Sequence, residues 1–375
     1  RGIEDEEEAR EFLQPRLASL SDPFDLPEMR AAVERLLAAV DRKQKISLYG
    51  DYDVDGVTSM ALLHLTLRAY GQDSGLFLPH RMEEGYGMSR DGLARCFEEN
   101  GKPDLLVALD CGTTSLPEAA WLREQGVDCI IVDHHELAQA GRPECVALVN
   151  PQLGDTHHHL CTVGLVFKVA HALMKTRRVP GFDLKDHLDL VTLGTVADLV
   201  PLIGENRSIV RRGLEAIAQT KRIGLRALKD VAGVDGFVQT HHLGYRLGPR
   251  LNAAGRLDTA LTALHLILSD NPVEARDYAV LLDTHNRERQ GVETQVMNEA
   301  LEMVAGMGPL EDVHGIVLGS RNWHPGVIGI AAGRLKDRLM KPTIVLGGVT
   351  EHEPAKGSGR STPGVNLGAA VAAAK

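Results

Sequence analysis

Three short apolar runs, each closing on an aspartate, set the terms for this chain of 375 residues. They are KISLYGD (45–51), DLLVALD (104–110) and VDCIIVD (127–133), with helix-patterned segments such as 57–70 and PEAAWLREQG between them. Brief apolar runs without polar alternation suit strands buried on both faces, the condition of a mostly parallel sheet flanked by helices. A fourth run, CVALVNP (145–151), extends the sheet. In open α/β sheets the ligand crevice lies beyond the carboxyl ends of the strands. Asp51, Asp110 and Asp133 are therefore expected to share one rim.

The rest of the chain divides around that sheet. Residues 1–44 read as an acidic lead-in and an amphipathic helix, PEMRAAVERLLAAVDR, and 45–215 as the main α/β domain. Within it, 161–202 is helical and ends in DLVTLGTVADLVPL. Residues 216–305 are a linking segment, less regular to about 260, in which Asn271-Pro272 opens a helix expected to reach about 304. At 1.5 Å per residue that helix spans about 50 Å, the length of a connector. A second, smaller α/β domain follows at 306–375: VHGIVLG, PGVIGIAAGRLKDRL, PTIVLGG and the glycine-rich KGSGRSTPG.

Hydrophobic content of 43% and charged content of 25% are those of a globular protein. No apolar run approaches the roughly 20 residues that span a bilayer. The chain begins at Arg1, shows no signal peptide, and reads as trimmed at its start. Its five cysteines are odd in number and form no CxxC pair, which points to neither a disulfide framework nor a zinc site and fits a reducing cytoplasm. A net charge of −10 argues at first against a nucleic-acid partner, but five of those charges sit at residues 4–8. Cations bound by further acids would cancel much of the remainder.

The acids are where the chemistry gathers. GDYDVDG sets Asp51, Asp53 and Asp55 at alternate positions, where they repel unless solvent or a cation neutralises them. An EF-hand begins the same way but needs a bidentate acid at its twelfth position, which here is Leu62. VDHHE places His134 and His135 after Asp133; imidazole is a good ligand for manganese, iron or zinc, and a neighbouring carboxylate can orient it. DCGTTS offers Asp110, then Thr113, Thr114 and Ser115 as phosphate contacts or helix caps. Asp198 lies inside an apolar segment, where an unpaired charge is costly. Asp51, Asp53, Asp55, Asp110, His134 and Asp198 make an oxygen-rich set suited to two Mn(II) or Mg(II) ions, and phosphoester hydrolysis is the natural chemistry.

Three basic clusters are candidates for phosphate. Arg250, Asn252 and Arg256 lie in GPRLNAAGRLD, read as a glycine loop; Arg321 and His324 lie in SRNWHPG ahead of a helix; Lys356, Ser358 and Arg360 lie in KGSGRS, where small residues would let backbone amides face an anion. Trp323 has two readings, base stacking or core. His157-His158-His159 reads as a polar loop, and Cys111 lacks the cationic surroundings of a nucleophilic thiolate.

GDYDVDGVTS, LDCGTTS, VDHHE, Asn150-Pro151 and GTVADLVPL resemble the successive motifs of the DHH phosphoesterase superfamily. LGPRLNAAGRL, SRNWHPGVIGIAAGRL and KGSGRS resemble, more narrowly, the RecJ group of single-stranded-DNA exonucleases and its DHH-associated domain. The resemblance implies a 5′-to-3′ exonuclease that releases mononucleotides with Mn(II) or Mg(II), in DNA repair and recombination. It also implies single-strand-binding protein and a RecQ-type helicase as partners. On matching positions it makes Asp53, Asp55, Asp110, His134 and Asp198 metal ligands, and Asp51 a ligand or a supporting acid. It sets His135 against the scissile phosphate, with Asp133 orienting the histidines. Arg250, Arg256, Ser358 and Arg360 become candidates for the strand and its 5′ phosphate. The family's GGH motif and oligonucleotide-binding domain fall outside the chain; unless the chain is a fragment of a longer protein, the associated domain is expected to be truncated and the grip on DNA weakened. LCTVGLVFKV (160–169) follows the family pattern only loosely and is assigned no site. The alternatives are a DHH phosphodiesterase for short oligoribonucleotides, phosphoadenosine phosphate or cyclic dinucleotides, and a non-catalytic scaffold. The long connector and GPRLNAAGR favour a long DNA substrate, and retention of every acid and both histidines speaks against the scaffold.

Overall fold

Five parallel strands carry the acids, in the order β2-β1-β3-β4-β5. The computed structural model describes residues 3, 5–80, 84, 87–257, 260–348 and 355–374, with backbone alone at 7, 8, 11, 256 and 257. Helices α1 (Glu6–Leu13) and α2 (Met29–Asp41) precede β1 (Ile46–Gly50). Then come α3 (Val54–Ala69), β2 (Ser74–Phe77), α4 (Arg90–Asn100), β3 (Leu105–Leu109), α5 (Leu116–Glu124), β4 (Asp128–Val132) and β5 (Ala147–Val149). Both faces of the sheet are covered. Ile46, Leu48, Leu105, Val107, Ile130 and Val132 share a core with α2, α3 and α6 (Thr162–Thr176), while Tyr49, Leu106, Ala108 and Ile131 share another with α4 and α5. Two-sided burial is why these strands read as unbroken apolar runs.

The chain reverses its sheet order between β1 and β3, because β2 lies outside β1. That switch point opens the crevice in which such folds hold ligands. The fold class expected from sequence is the one observed. β2 was not anticipated; its SGLF is short, begins with Ser-Gly and is only half buried on the sheet's edge.

The remaining elements of the first part are helical: α7 (Leu188–Ala197), α8 (Gly204–Ala218), α9 (Ile223–Ala232), α10 (Thr240–His242), a π turn at Leu243–Leu247, α11 (Gly248–Leu257) and α12 (Leu261–Leu268). GPRLNAAGRL is thus a helix and not the glycine loop expected. Pro249 sits in its first turn, where a missing N–H costs nothing, and Leu251, Ala253 and Ala254 give it a buried face. The connector α13 runs Pro272–Gly306, 35 residues, close to the expected extent.

Contacts divide the chain into two compact units, Arg1–Asp283 and Thr284–Lys375, with the division inside α13. In the second unit, β6 (Ile316–Ser320) pairs parallel with β7 (Thr343–Gly347), which pairs antiparallel with β8 (Lys356–Arg360). Helix α14 (Pro325–Leu339) packs Val327, Ala331 and Leu335 into a core with Trp323, and α15 (Leu367–Ala373) follows β8. KGSGRS is therefore mostly an edge strand, and the sheet accepts its two glycines at its border.

Gly56 fixes how α3 leaves β1. A Cβ there would meet the Asp51 backbone oxygen at 2.4 Å and its nitrogen at 2.8 Å, so only hydrogen fits. Gly56→Ala is expected to cost about 1–3 kcal/mol of stability, read as a lower denaturant midpoint with an unchanged slope. A midpoint equal to the parent's would show that the loop can yield.

Candidate metal centre

Register brings the acids together. Gly50 pairs with Leu109, Leu109 with Val132, and Val132 with Val149. The next residues, Asp51, Asp110, Asp133 and Asn150, therefore stand side by side at the carboxyl edge. Asp53 caps α3 by accepting the Gly56 N–H at 3.1 Å. Asp198 follows the last turn of α7. Asp110 and Leu199 both hold left-handed backbone, φ +63° and +62°, a conformation that costs non-glycine residues on the order of 1–3 kcal/mol.

Ligand atoms of Asp51, Asp53 and Asp110 lie within 4.8 Å of one another, and so do those of Asp110, His134 and His135. Asp110 belongs to both groups. A third group joins Asp55, Asp198 and Cys161. His134 Nε2 lies 3.6 Å from Asp110 Oδ1 and 3.7 Å from Asp198 Oδ2. Burial and then the charges of Asp198 and Asp53 push the Asp55 carboxyl well up. Burial and the neighbouring acids do the same to Asp110. Burial and Asp53 push Asp198 up to about 7. Burial, then His135, lowers His134 and favours a neutral ring.

Such a set fits a divalent cation. The donors are carboxylate oxygens and one neutral imidazole, and Asp198 Oδ2 is buried without a hydrogen bond. Cys161 is the poor member of its group: burial pushes its thiol well up, and its sulfur bonds Thr195 Oγ1 at 3.5 Å. Cys111 is likewise buried and raised, so it supplies no thiolate.

Around the donors stands a frame of hydrogen bonds. Asp133 Oδ1 accepts from the His135 backbone at 3.2 Å and lies 2.7 Å from His135 Nδ1; Oδ2 accepts the Thr113 N–H at 3.0 Å. Burial alone would raise Asp133, but the bonds to His135 and Thr113 outweigh it and hold the carboxyl at about 2. An ionised Asp133 can only accept, so His135 Nδ1 carries the proton. The bond to Asp133 also raises the His135 pKa against its burial. Asn150 Nδ2 donates to Thr113 Oγ1 and the His135 carbonyl. Thr113 thus serves the frame, Ser115 bonds the Met88 carbonyl, and neither caps α5.

Two contributors were missed in the sequence. The Thr162 and Val163 amides, opening α6, donate to the two Asp55 oxygens at 2.7 and 2.8 Å. The Thr162 hydroxyl donates to Asp110 Oδ1 at 2.8 Å. Each oxygen keeps a lone pair for a cation. The available signal was a threonine and a glycine opening an apolar helix, in the segment to which no site was assigned.

The basic candidates separate. Arg250 Nε donates to Asp283 Oδ1 at 2.9 Å and its Nη1 to the Arg246 carbonyl, so its guanidinium is held within the first unit. Asn252 Oδ1 accepts the Val54 N–H at 3.0 Å and holds the aspartate loop. The Arg256 side chain lies outside the described residues. Arg321, His324, Ser358 and Arg360 belong to the second unit. There His324 Nδ1 caps α14 through Gly326 N–H, and Arg321 is exposed. Arg360 Nη1 donates to Ser358 Oγ at 3.0 Å, on the strand face over Gly329. Trp323 is core, 2% exposed, its indole N–H donating to Glu299.

The DHH family N-terminal domain matches residues 45–195, and the DHHA1 domain matches 312–375. The single-stranded-DNA-specific exonuclease RecJ of Bacillus subtilis is 41% identical over 372 residues, 98% of this chain. The chain spans 46% of that relative's length. A crystal structure of exonuclease RecJ bound to manganese superposes with a TM-score of 0.80 at 33% identity, covering 92% of this chain and 85% of that one. RecJ of Thermus thermophilus in complex with Mg²⁺ gives 0.76 at 29% identity, covering 97% of this chain and 49% of that one. With those motifs on the rim of the same fold, the chain belongs to the RecJ family of DHH phosphoesterases.

Proposed function

We propose that this chain hydrolyses phosphodiester bonds of single-stranded DNA from the 5′ end, releasing 5′-mononucleotides, with Mn(II) or Mg(II) as cofactor. The observation that carries the reading is Asp110, shared by two donor groups at the switch point beside a neutral His134. Asp51, Asp53, Asp55, Asp110, His134 and Asp198 are the residues that would hold the ions. Divalent ions held there would lower the pKa of a coordinated water and offset charge on the phosphate. His135, fixed by Asp133 through Nδ1, turns Nε2 to the scissile phosphate, and that nitrogen donates a hydrogen bond in the protonated ring that the Asp133 contact favours. Strand and 5′-phosphate contacts are assigned to Arg250, Arg256, Arg321, His324, Ser358 and Arg360. The polarity rests on family membership, as do roles in repair and recombination beside single-strand-binding protein and a RecQ-type helicase. We take residues 45–215 as the phosphoesterase part, 216–305 as the link and 306–375 as the associated domain. No helix among the described residues is long and apolar enough to cross a membrane. Five free cysteines support a reducing compartment such as the cytoplasm.

The substrate is tested with a 5′-labelled single strand, a duplex, a dinucleotide and a cyclic dinucleotide, each with Mn(II). Labelled mononucleotide is expected from the single strand, and Asp110→Asn should reduce its release by at least about 100-fold with the fold intact. Preference for the dinucleotide would overturn the substrate while leaving the metal centre standing.

The raised carboxyls make metal binding pH-dependent. Asp198, at about 7, and Asp55 and Asp110, both pushed well up by burial and neighbouring acids, hold protons in the metal-free protein that a cation must displace. Being raised, Asp198 favours the folded state below the unfolded value near 3.8, and its contribution is lost as pH rises through about 7. Mn(II) should therefore bind more weakly at pH 6 than at pH 8, release protons at pH 6, and raise Tm most at pH 8. Calorimetry in two buffers of different ionisation enthalpy reads the protons; equal affinity at both pH values would refute the linkage.

A further inference from the structure

Asn252, a candidate phosphate contact in the sequence, reaches the middle of the aspartate loop from a helix 198 positions away. Val54 is the first residue of α3, so its N–H is one of the donors that a helix leaves unpaired at its start. Val54 is 1% exposed, which withholds water from that N–H, and Asp53 already spends its capping bond on Gly56. Asn252 Oδ1 takes the Val54 N–H at 3.0 Å. One turn further along α11, Gly255 lies against the same loop. A Cβ there would stand 2.8 Å from the Tyr52 carbonyl oxygen and 3.1 Å from its Cβ.

The two grips fall on Tyr52 and Val54, which alternate with Asp51, Asp53 and Asp55. Holding the even positions fixes the odd ones.

We propose that Asn252 is a positioning residue for the metal centre: its side-chain carbonyl fixes the backbone between Asp53 and Asp55, and so the spacing of the carboxylates that take the cation. The proposal rests on the metal reading above and replaces a phosphate contact at Asn252. Outer partners of metal ligands typically govern affinity by 10- to 100-fold.

The test compares the parent protein with Asn252→Ala and Asn252→Asp. Mn(II) affinity is measured by calorimetry and by the electron paramagnetic resonance of free Mn(II), and thermal stability in EDTA. N252A should bind Mn(II) on the order of 10-fold more weakly or worse, beyond any change in its metal-free Tm. N252D keeps an acceptor at the same place and should recover most of the affinity. Parent-like Mn(II) affinity in N252A, with a raised KM for the single strand, would overturn the proposal and restore the phosphate contact. Should N252A not fold, a folded N252D that binds Mn(II) about 10-fold or more weakly than the parent would overturn it equally. A parent protein that binds no Mn(II) would overturn the metal reading and this proposal together. Because metal binding is read without substrate, a wrong substrate assignment does not enter the result.

Discussion

Mutual repulsion among carboxylates at one end of a parallel sheet is the constraint that the first unit answers. Two like charges 4 Å apart cost about 4 kcal/mol at an effective dielectric near 20. A few such pairs rival the whole stability of a domain, roughly 5–15 kcal/mol. Asp51, Asp53 and Asp110 present oxygens within 4.8 Å of one another, so the metal-free protein keeps protons on some of its acids. The same arrangement makes a cation the better partner. A site of this kind persists only if the surrounding chain prevents the acids from moving apart.

The sheet and two helix starts do that. β1, β3 and β4 are buried on both faces, so the rim cannot shear without exposing two cores. Asp53 is pinned to the first turn of α3, and Asp55 to the first turn of α6, where unpaired amides and the helix dipole favour a negative group. α6 is itself located from elsewhere. Lys168 in its middle is fully buried, donating to Glu205 Oε1 of α8 at 2.8 Å and to the Ser21 carbonyl and hydroxyl. Breaking one partner of such a pair leaves a buried charge, so the network fixes the register of α6 firmly. The N-terminal segment thereby helps to hold Asp55 without approaching the metal centre.

What the sequence disclosed, and what it hid, follows from the range of each interaction. Strands β1, β3 and β4 were legible because burial on two faces leaves an unbroken apolar run, and the acids at their ends were legible because the runs stop there. α13 was legible from Asn271-Pro272 and its length. β2 was not, since an edge strand of four residues carries little burial signal. α11 and β8 were misread for one reason: glycine marks a turn in isolation, whereas here glycines admit close neighbours, Tyr52 against Gly255 and Leu346 against Gly357. Thr162 and Asn252 act through tertiary bonds spanning 107 residues to Asp55 and 198 to Val54, which no local pattern encodes.

The rim acids share one chemistry, and their surroundings sort them into two occupations. Asp133 lies at the end of β4 as Asp110 lies at the end of β3, and both are buried. Asp133 bonds two backbone N–H groups and an imidazole, which hold its carboxyl at about 2; it stays ionised and serves as a clamp for His135. Asp110 accepts the hydroxyl of Thr162, faces several acids, and is pushed up. Asp198, with a buried oxygen lacking any hydrogen bond, sits at about 7. Asp133 is separated from Asp110 and Asp198 by its three hydrogen-bond donors, among them the imidazole of His135. Asp110 adopts its left-handed backbone on the side of the rim where satisfaction is incomplete. Strain, raised pKa and unmet hydrogen-bonding capacity coincide there, and binding a divalent ion would relieve the last two at once.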